Sequence, residues 1–133
     1  MDVGSLQELQ VMQNKAARIV TNSPPRAKRS VMFDKLRWLT VNQLITYHTV
    51  ITVFKIRNSR EPEYLAEILC NDSRNNRITI PNLDLKLAQK SFSLRGSEDW
   101  NKLPLNIRQQ EKIGTFKHLA KKWILENVPR FLD

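Results

Sequence analysis

The sequence predicts a mostly α-helical protein: a single compact helical domain of about five to seven helices over residues 1–133, with at most one short β segment near 78–80. Apolar residues recur every three or four positions along most of the chain, which is the period of a helix face. Only three glycines occur, too few for the many tight turns of a β-sandwich or barrel. The length of 133 residues and the 41% hydrophobic content are sufficient for one buried core.

The first helix is predicted to begin at a capping box and to end before a basic linker. Residues 5–8, SLQE, have the capping-box pattern, and an apolar stripe follows at helical spacing. The helix should end before Pro24, because the residue preceding a proline avoids the helical conformation. After the linker, residues 22–29, a second helix is predicted to begin near Ser30. The residues expected to face the core are Leu6, Leu9, Met12, Ala16, Ile19 and Val20 in the first helix, and Met32 or Phe33, Leu36 and Leu39 in the second.

The third helix, residues 41–57, is predicted to be central. Thr40 and Gln43 form another capping box at its start. Apolar residues cover much of its circumference, which is typical of a buried helix. The β-branched run at 50–53 leaves a strand as an open alternative. His48 falls on an apolar face and is expected to be a hydrogen-bonded core residue.

The second half predicts three more helices. One starts at 61–63, where proline and acids suit a first turn. A polar loop spans 71–90, a helix spans 90–103, and Thr115 is expected to cap a last helix. The residues predicted to have structural roles are Trp38, Phe54, Phe92, Trp100, Pro104, Phe116 and Trp123.

The stretch EDWNKLPLNIRQQ, residues 98–110, predicts a structural corner. Trp100 falls in step with an apolar helix face, so burial is a better interpretation than base stacking. Pro104 should end the helix, with Leu105 and Ile107 fixing the corner and Asn101 hydrogen-bonding there.

No pattern of catalytic or metal-binding residues is present in the sequence. His48 and His118 lie far apart, and Cys70 has no paired base in view. Phosphate-loop, nucleophile-elbow and zinc-protease motifs are missing, as is the palm signature of reverse transcriptases. The sequence therefore predicts no enzyme activity, no cofactor, no metal and no small-molecule substrate. With no signal peptide or long apolar run, it predicts an intracellular protein, nuclear and/or cytoplasmic, that does not enter a membrane.

The charge predicts a polyanionic partner. The formal net charge is +9, and residues 15–37 hold seven basic residues against the single acid Asp34. Lys and Arg neutralise phosphates, so RNA and/or DNA is the expected partner, with a merely solvated basic surface as the alternative. Arg108 is expected to be free to meet a phosphate, and the linker at 26–29 to be mobile. The candidate nucleic-acid-binding residues are Lys15, Arg18, Arg26, Lys28, Arg29, Arg37, Arg108, Lys117, Lys121 and Lys122.

Four blocks carry a family resemblance. They are LQELQVMQNKAARIV (6–20), LRWLTVNQLITYHTVITVFKI (36–56), EPEYLAEIL (61–69) and SFSLRGSEDWNKLPLNIRQQEKIGTFKHLAKKWI (91–124). In this order and spacing they resemble the C-terminal region of jockey-like non-LTR (LINE-type) retrotransposon polyproteins, downstream of the reverse-transcriptase palm and thumb. The most specific points are Leu9-Gln10 to Gln13-Asn14, Ala17-Arg18, Trp100-Asn101 with Leu103-Pro104, and Phe116-Lys117.

The resemblance implies an accessory region that helps to hold RNA template or target DNA in a ribonucleoprotein, with the polymerase part of the same polyprotein as a further partner. The Cys/His zinc knuckle found in some members has no counterpart in this chain. The Met1 start indicates a separate piece, either a truncated copy or one recruited by the host. The alternatives to nucleic-acid binding are a helical protein-interaction module and a relic fragment without independent activity.

Overall fold

The structure, a computed structural model, describes residues 3–70, 72, 74–79 and 87–131. It is mostly helical, as the sequence predicts. A 3₁₀ turn spans Arg74–Asn76, and the pairing of Asp72 with Ile78 is an isolated antiparallel bridge. The seven α-helices of the described residues are α1 (Val3–Val20), α2 (Arg29–Leu36), α3 (Val41–Ser59), α4 (Glu63–Leu69), α5 (Leu87–Lys102), α6 (Leu105–Arg108) and α7 (Ile113–Asn127).

The chain packs into two compact units. Unit 1 comprises Met1–Ile45 and Leu125–Asp133, and unit 2 comprises Thr46–Ile124. The division falls within α3 and within α7. The single domain over 1–133 stays a prediction. Of the β segment expected near 78–80, Ile78 is in the bridge and residue 80 lies outside the described residues.

The core of unit 1 contains Ala17, Met32 and Phe33, and it corrects the stripe predicted for α1. Ile19 is 79% exposed and Met12 64% exposed, and Leu9, Ala16 and Val20 are exposed as well. Helix α1 instead turns Ala17 and two glutamines inward. The Gln13 amide donates to the Leu39 carbonyl at 2.8 Å, and the Gln10 side-chain oxygen accepts from the Val41 amide at 3.0 Å. Hydrogen bonds to backbone therefore replace the apolar contacts that the stripe predicts.

Only one of the two predicted capping boxes exists. Helix α1 begins at Val3, so Ser5 already lies inside it and the first box is wrong. Thr40 and Gln43 form the second as predicted: the Thr40 amide donates to Gln43 Oε1 at 3.1 Å, and the Gln43 amide donates to Thr40 Oγ1 at 3.4 Å. Gln43 Nε2 also donates to the Val128 carbonyl at 3.0 Å, which ties the residue directly after α7 to the start of α3 within unit 1.

Unit 2 is built on an aromatic stack. The Phe116 ring lies 4.4 Å from that of Phe54 and 5.6 Å from that of Trp100, both nearly parallel. Gly96 lets α5 approach α3, because a Cβ there would lie 2.9 Å from Val53 Cγ2. Residues 50–53 are helical, so the strand alternative is wrong.

Several finer predictions for unit 2 also change. His48 is exposed, with its ring edge-on to Tyr47, so its assignment to the core is wrong. Thr115 lies inside α7, which starts at Ile113. Helix α5 starts at Leu87, so the polar loop cannot extend to residue 90, and its residues 80–86 lie outside the described ones.

The seven predicted structural residues differ in their burial. Phe54, Trp100 and Phe116 are buried as predicted. Half-buried positions are held by Trp38, Phe92, Pro104 and Trp123.

Candidate nucleic-acid interface

The segment between α1 and α2 presents two exposed basic side chains of unit 1. The Ser23 amide donates to the Arg18 carbonyl at 3.0 Å, and the Ala27 amide to the Pro24 carbonyl at 3.0 Å, so the predicted mobile linker is folded into consecutive hydrogen-bonded turns. Arg26 and Lys28 are exposed on these turns. The turns therefore hold two cations at a defined place on the surface.

Four further candidates lie on α1, on α2 and directly after α2. Lys15 on α1 and Arg37 after α2 are exposed, and Arg37 has a left-handed backbone conformation with φ 54°. Arg18 is half-buried, and its Nε is buried without a hydrogen-bond partner among the described residues. The guanidinium carbon of Arg29 lies 3.8 Å above the ring centroid of Phe131.

The lysines of α7 form a separate set in unit 2. Lys121 and Lys122 are exposed and Lys117 is half-buried. On the same helix Phe116, Ala120 and Ile124 are buried. The lysines thus occupy the outer side of an amphipathic helix, the arrangement expected either for phosphate contact or for an ordinary solvated face.

Arg108 is not an exposed phosphate ligand, and that prediction is wrong. It is only 6% exposed and donates from Nη1 to the Asn101 carbonyl at 3.0 Å. Burial, reinforced by the positive charge of Arg77, lowers the pKa of Arg108 from its ordinary value. Its role is to brace the corner after α5.

Trp100 and Asn101 build that corner. The Trp100 indole donates to the Asn76 carbonyl at 2.8 Å. The Asn101 side chain accepts from the Ile78 amide at 2.7 Å and donates to the Ile78 carbonyl at 2.8 Å. The predicted structural corner is therefore confirmed, with Ile107 buried but Leu105 36% exposed.

Asp99 is the other buried ionisable group beside the corner. It is 8% exposed, and Arg95 Nε donates to its Oδ2 at 3.2 Å. Burial raises the pKa of the Asp99 carboxyl, and the attraction of Arg95 offsets this only in part.

Unit 1 also contains a cleft that the sequence did not indicate. Its volume is about 270 Å³, and α1, the starts of α2 and α3 and the segment after α7 enclose it. Arg130 at its edge is ion-paired with Asp34. No sequence pattern links residue 130 with residues 6–14, so only the fold could bring them together. The lining residues are Leu6, Gln7, Gln10, Val11, Asn14, Arg29, Asn42, Arg130 and Phe131.

No group of three or more His, Cys, Asp or Glu side chains that could hold a metal ion occurs among the described residues. No helix in the described part of the chain has the length and apolarity needed to cross a membrane.

In comparisons with known proteins, no family model, no curated protein and no solved structure matches this chain. The retrotransposon resemblance therefore stays a prediction from the sequence.

Proposed function

We propose that this chain is a nucleic-acid-binding accessory domain of a LINE-type retrotransposon reverse transcriptase, without an active site of its own, which acts within an intracellular ribonucleoprotein. The family resemblance supports the element type. The observation that carries the binding function is the basic cluster of residues 15–37, whose single acid, Asp34, is already paired with Arg130. Exposed Arg26 and Lys28 are its centre.

The chemistry is phosphate neutralisation. Lys and Arg side chains on a folded surface displace counterions from RNA or DNA, which gives affinity without reading sequence. Lys15 and Arg37 lie in the same unit and extend the cluster beyond the turns.

Charge reversal tests the proposal. Labelled 20-nucleotide single-stranded RNA is titrated with the full chain at about 100 mM salt, and fluorescence anisotropy is measured. The R26E/K28E variant is expected to bind at least about tenfold more weakly, since two phosphate contacts become repulsive. The control K55E/K112E makes the same charge change at exposed residues outside the cluster and should stay within about twofold of wild type.

Equal losses in the two variants would mean that overall charge alone attracts the RNA, and the cluster would be rejected as the interface. Absence of binding by the wild type at about 50 mM salt would reject nucleic-acid binding altogether.

An exposed apolar stripe on α1 favours a second function, that of a helical protein-interaction module. Leu9, Met12 and Ile19 recur at heptad-like spacing and are 39%, 64% and 79% exposed. The polymerase part of the same polyprotein is the partner that the resemblance suggests. A labelled palm–thumb polypeptide from a jockey-like element should bind wild type but not the M12E variant. Equal binding of the polypeptide by wild type and by M12E would exclude the stripe as its binding surface.

A further inference from the structure

The cleft of unit 1 combines three kinds of surface. Arg29 and Arg130 supply positive charge at one side, and no acidic side chain is among the described residues that line it. Carboxamides of Gln7, Gln10 and Asn14 lie along α1, next to the apolar side chains of Leu6 and Val11. Such a mixture suits a ligand with an anionic group, a polar edge and an apolar face.

Hydrogen bonds hold the cleft in shape. The Gln10 side chain accepts a hydrogen bond from the Val41 amide. Its Nε2 donates to Gln13 Oε1 and to Asn14 Oδ1, each at 2.9 Å. The polar atoms of Gln10 therefore stabilise the walls of the cleft. Asn42 Nδ2 donates to the Pro129 carbonyl at 2.8 Å, which anchors the segment carrying Arg130 and Phe131. The opposite wall is therefore tied to the start of α3.

Two side chains of the lining have the chemistry to recognise a nucleotide. The amide nitrogen of Asn14 donates to no residue within the described part of the chain, whereas its oxygen accepts from Gln10. The Arg29 guanidinium is stacked on Phe131, and a stacked, planar guanidinium is a surface on which nucleobases pack. Arg130, which also lines the cleft, is ion-paired with Asp34.

We propose that this cleft holds one unpaired nucleotide of a single-stranded nucleic acid, with the base stacked on the Arg29 guanidinium and the base edge at Asn14. The inference rests on the proposed nucleic-acid-binding function and adds a strand preference to it. The volume of about 270 Å³ lies just below the usual range for small-ligand pockets, so the proposal is limited to a single nucleotide. A base inside a duplex cannot enter, because it is stacked and paired.

Filling the cleft tests the proposal. Val11, 51% exposed, lines the cleft, whereas its neighbour Met12, 64% exposed, does not. V11W and M12W therefore add the same ring on different sides of α1. Affinities for a labelled ten-nucleotide single-stranded RNA and for a duplex DNA of ten base pairs are measured by anisotropy, with helicity checked by circular dichroism.

V11W is expected to bind the single strand at least about fivefold more weakly than M12W, because the stacking of one base is lost. Both variants should bind the duplex like wild type, and the salt slope should not change because no charge is altered. N14L, which removes the carboxamide without adding a ring, is expected to weaken single-strand binding in the same direction.

Unchanged or stronger single-strand binding by both V11W and N14L would overturn the cleft as a nucleotide site. If R26E/K28E still lost affinity, the proposed function would survive that result. If R26E/K28E also bound like wild type, the nucleic-acid function itself would fail, so the two failures are distinguishable.

Discussion

At the scale of single residues, the corner after α5 shows how one tryptophan and one asparagine can organise a loop. Trp100 is 1% exposed, stacks on Phe116, and satisfies its indole N–H at the Asn76 carbonyl. The Asn101 carboxamide accepts from the Ile78 amide and donates to the Ile78 carbonyl, the pair of hydrogen bonds that a neighbouring strand would make. Burial and hydrogen bonding therefore account for both residues, which are among the most specific points of the family resemblance.

Trp100→Ala is expected to lower the free energy of unfolding by about 3–5 kcal/mol, because a large buried ring and its hydrogen bond are both lost. Urea unfolding followed by circular dichroism measures this. Trp100→Phe, which keeps most of the ring contacts, should cost less. A Trp100→Ala variant as stable as wild type but deficient in RNA binding would contradict the structural role.

The pH dependence of stability should report on Asp99. Its pKa is raised by burial, so the folded state holds the proton more tightly than the unfolded state does, and this group's contribution to stability falls as pH rises. Asp99→Asn removes the titration. The melting temperature of wild type relative to this variant should therefore decrease between about pH 3 and pH 7.

The exposed neighbour Glu98 supplies the control for that measurement, since Glu98→Gln removes a carboxylate without removing a buried one. A difference between wild type and Asp99→Asn that stayed constant over the whole pH range would show that burial does not perturb Asp99.

At the scale of secondary-structure elements, α1 shows why an apolar period does not by itself identify a buried face. The stripe containing Met12 and Ile19 is apolar and correctly spaced, yet the face around Ala17 is the one that packs. The period shows which residues share a helix face, but that face is buried only if another part of the fold packs against it. Here Gln10 and Gln13 make the inward contacts through hydrogen bonds.

The two capping boxes give a matched test at this scale. Thr40→Ala should lower the free energy of unfolding by about 1 kcal/mol, because the first turn of α3 loses its side-chain cap. Ser5→Ala should change it by less than about 0.5 kcal/mol, because Ser5 is exposed and lies inside α1. Thermal unfolding of both variants and of wild type measures the two changes in the free energy of unfolding. Equal effects would show that the difference between the boxes is not energetic.

At the scale of the whole molecule, a formal charge of +9 makes salt the main determinant of binding. If about five phosphates of a single strand are contacted, the slope of log affinity against log salt is about −3.5, so affinity should fall roughly 100-fold between 50 and 200 mM salt. Anisotropy titrations at several salt concentrations measure it. The R26E/K28E variant should have a shallower slope, by about 1.4. A slope near zero would contradict phosphate contact.

Sequence alone determined the helical class, most helix positions and the basic cluster, because these depend on local periodicity, proline placement and charge. The Thr40–Gln43 cap was predictable for the same reason, because its two residues lie three positions apart. The burial of Trp100 was predictable from its place on an apolar helix face, although its partners Asn76 and Phe116 are distant in the chain. The stripe on α7 was also predictable, since Phe116, Ala120 and Ile124 are regularly spaced and buried.

Only the tertiary structure decided which faces are covered and which charges are accessible. Arg108 is indistinguishable from a surface arginine in the sequence, yet packing buries it against Asn101. Arg29 and Phe131 are separated by more than 100 positions, and only folding places the guanidinium 3.8 Å above the ring. Local patterns fix helices because helical bonds are local, whereas clefts and buried charges arise from contacts between distant segments that no local pattern encodes.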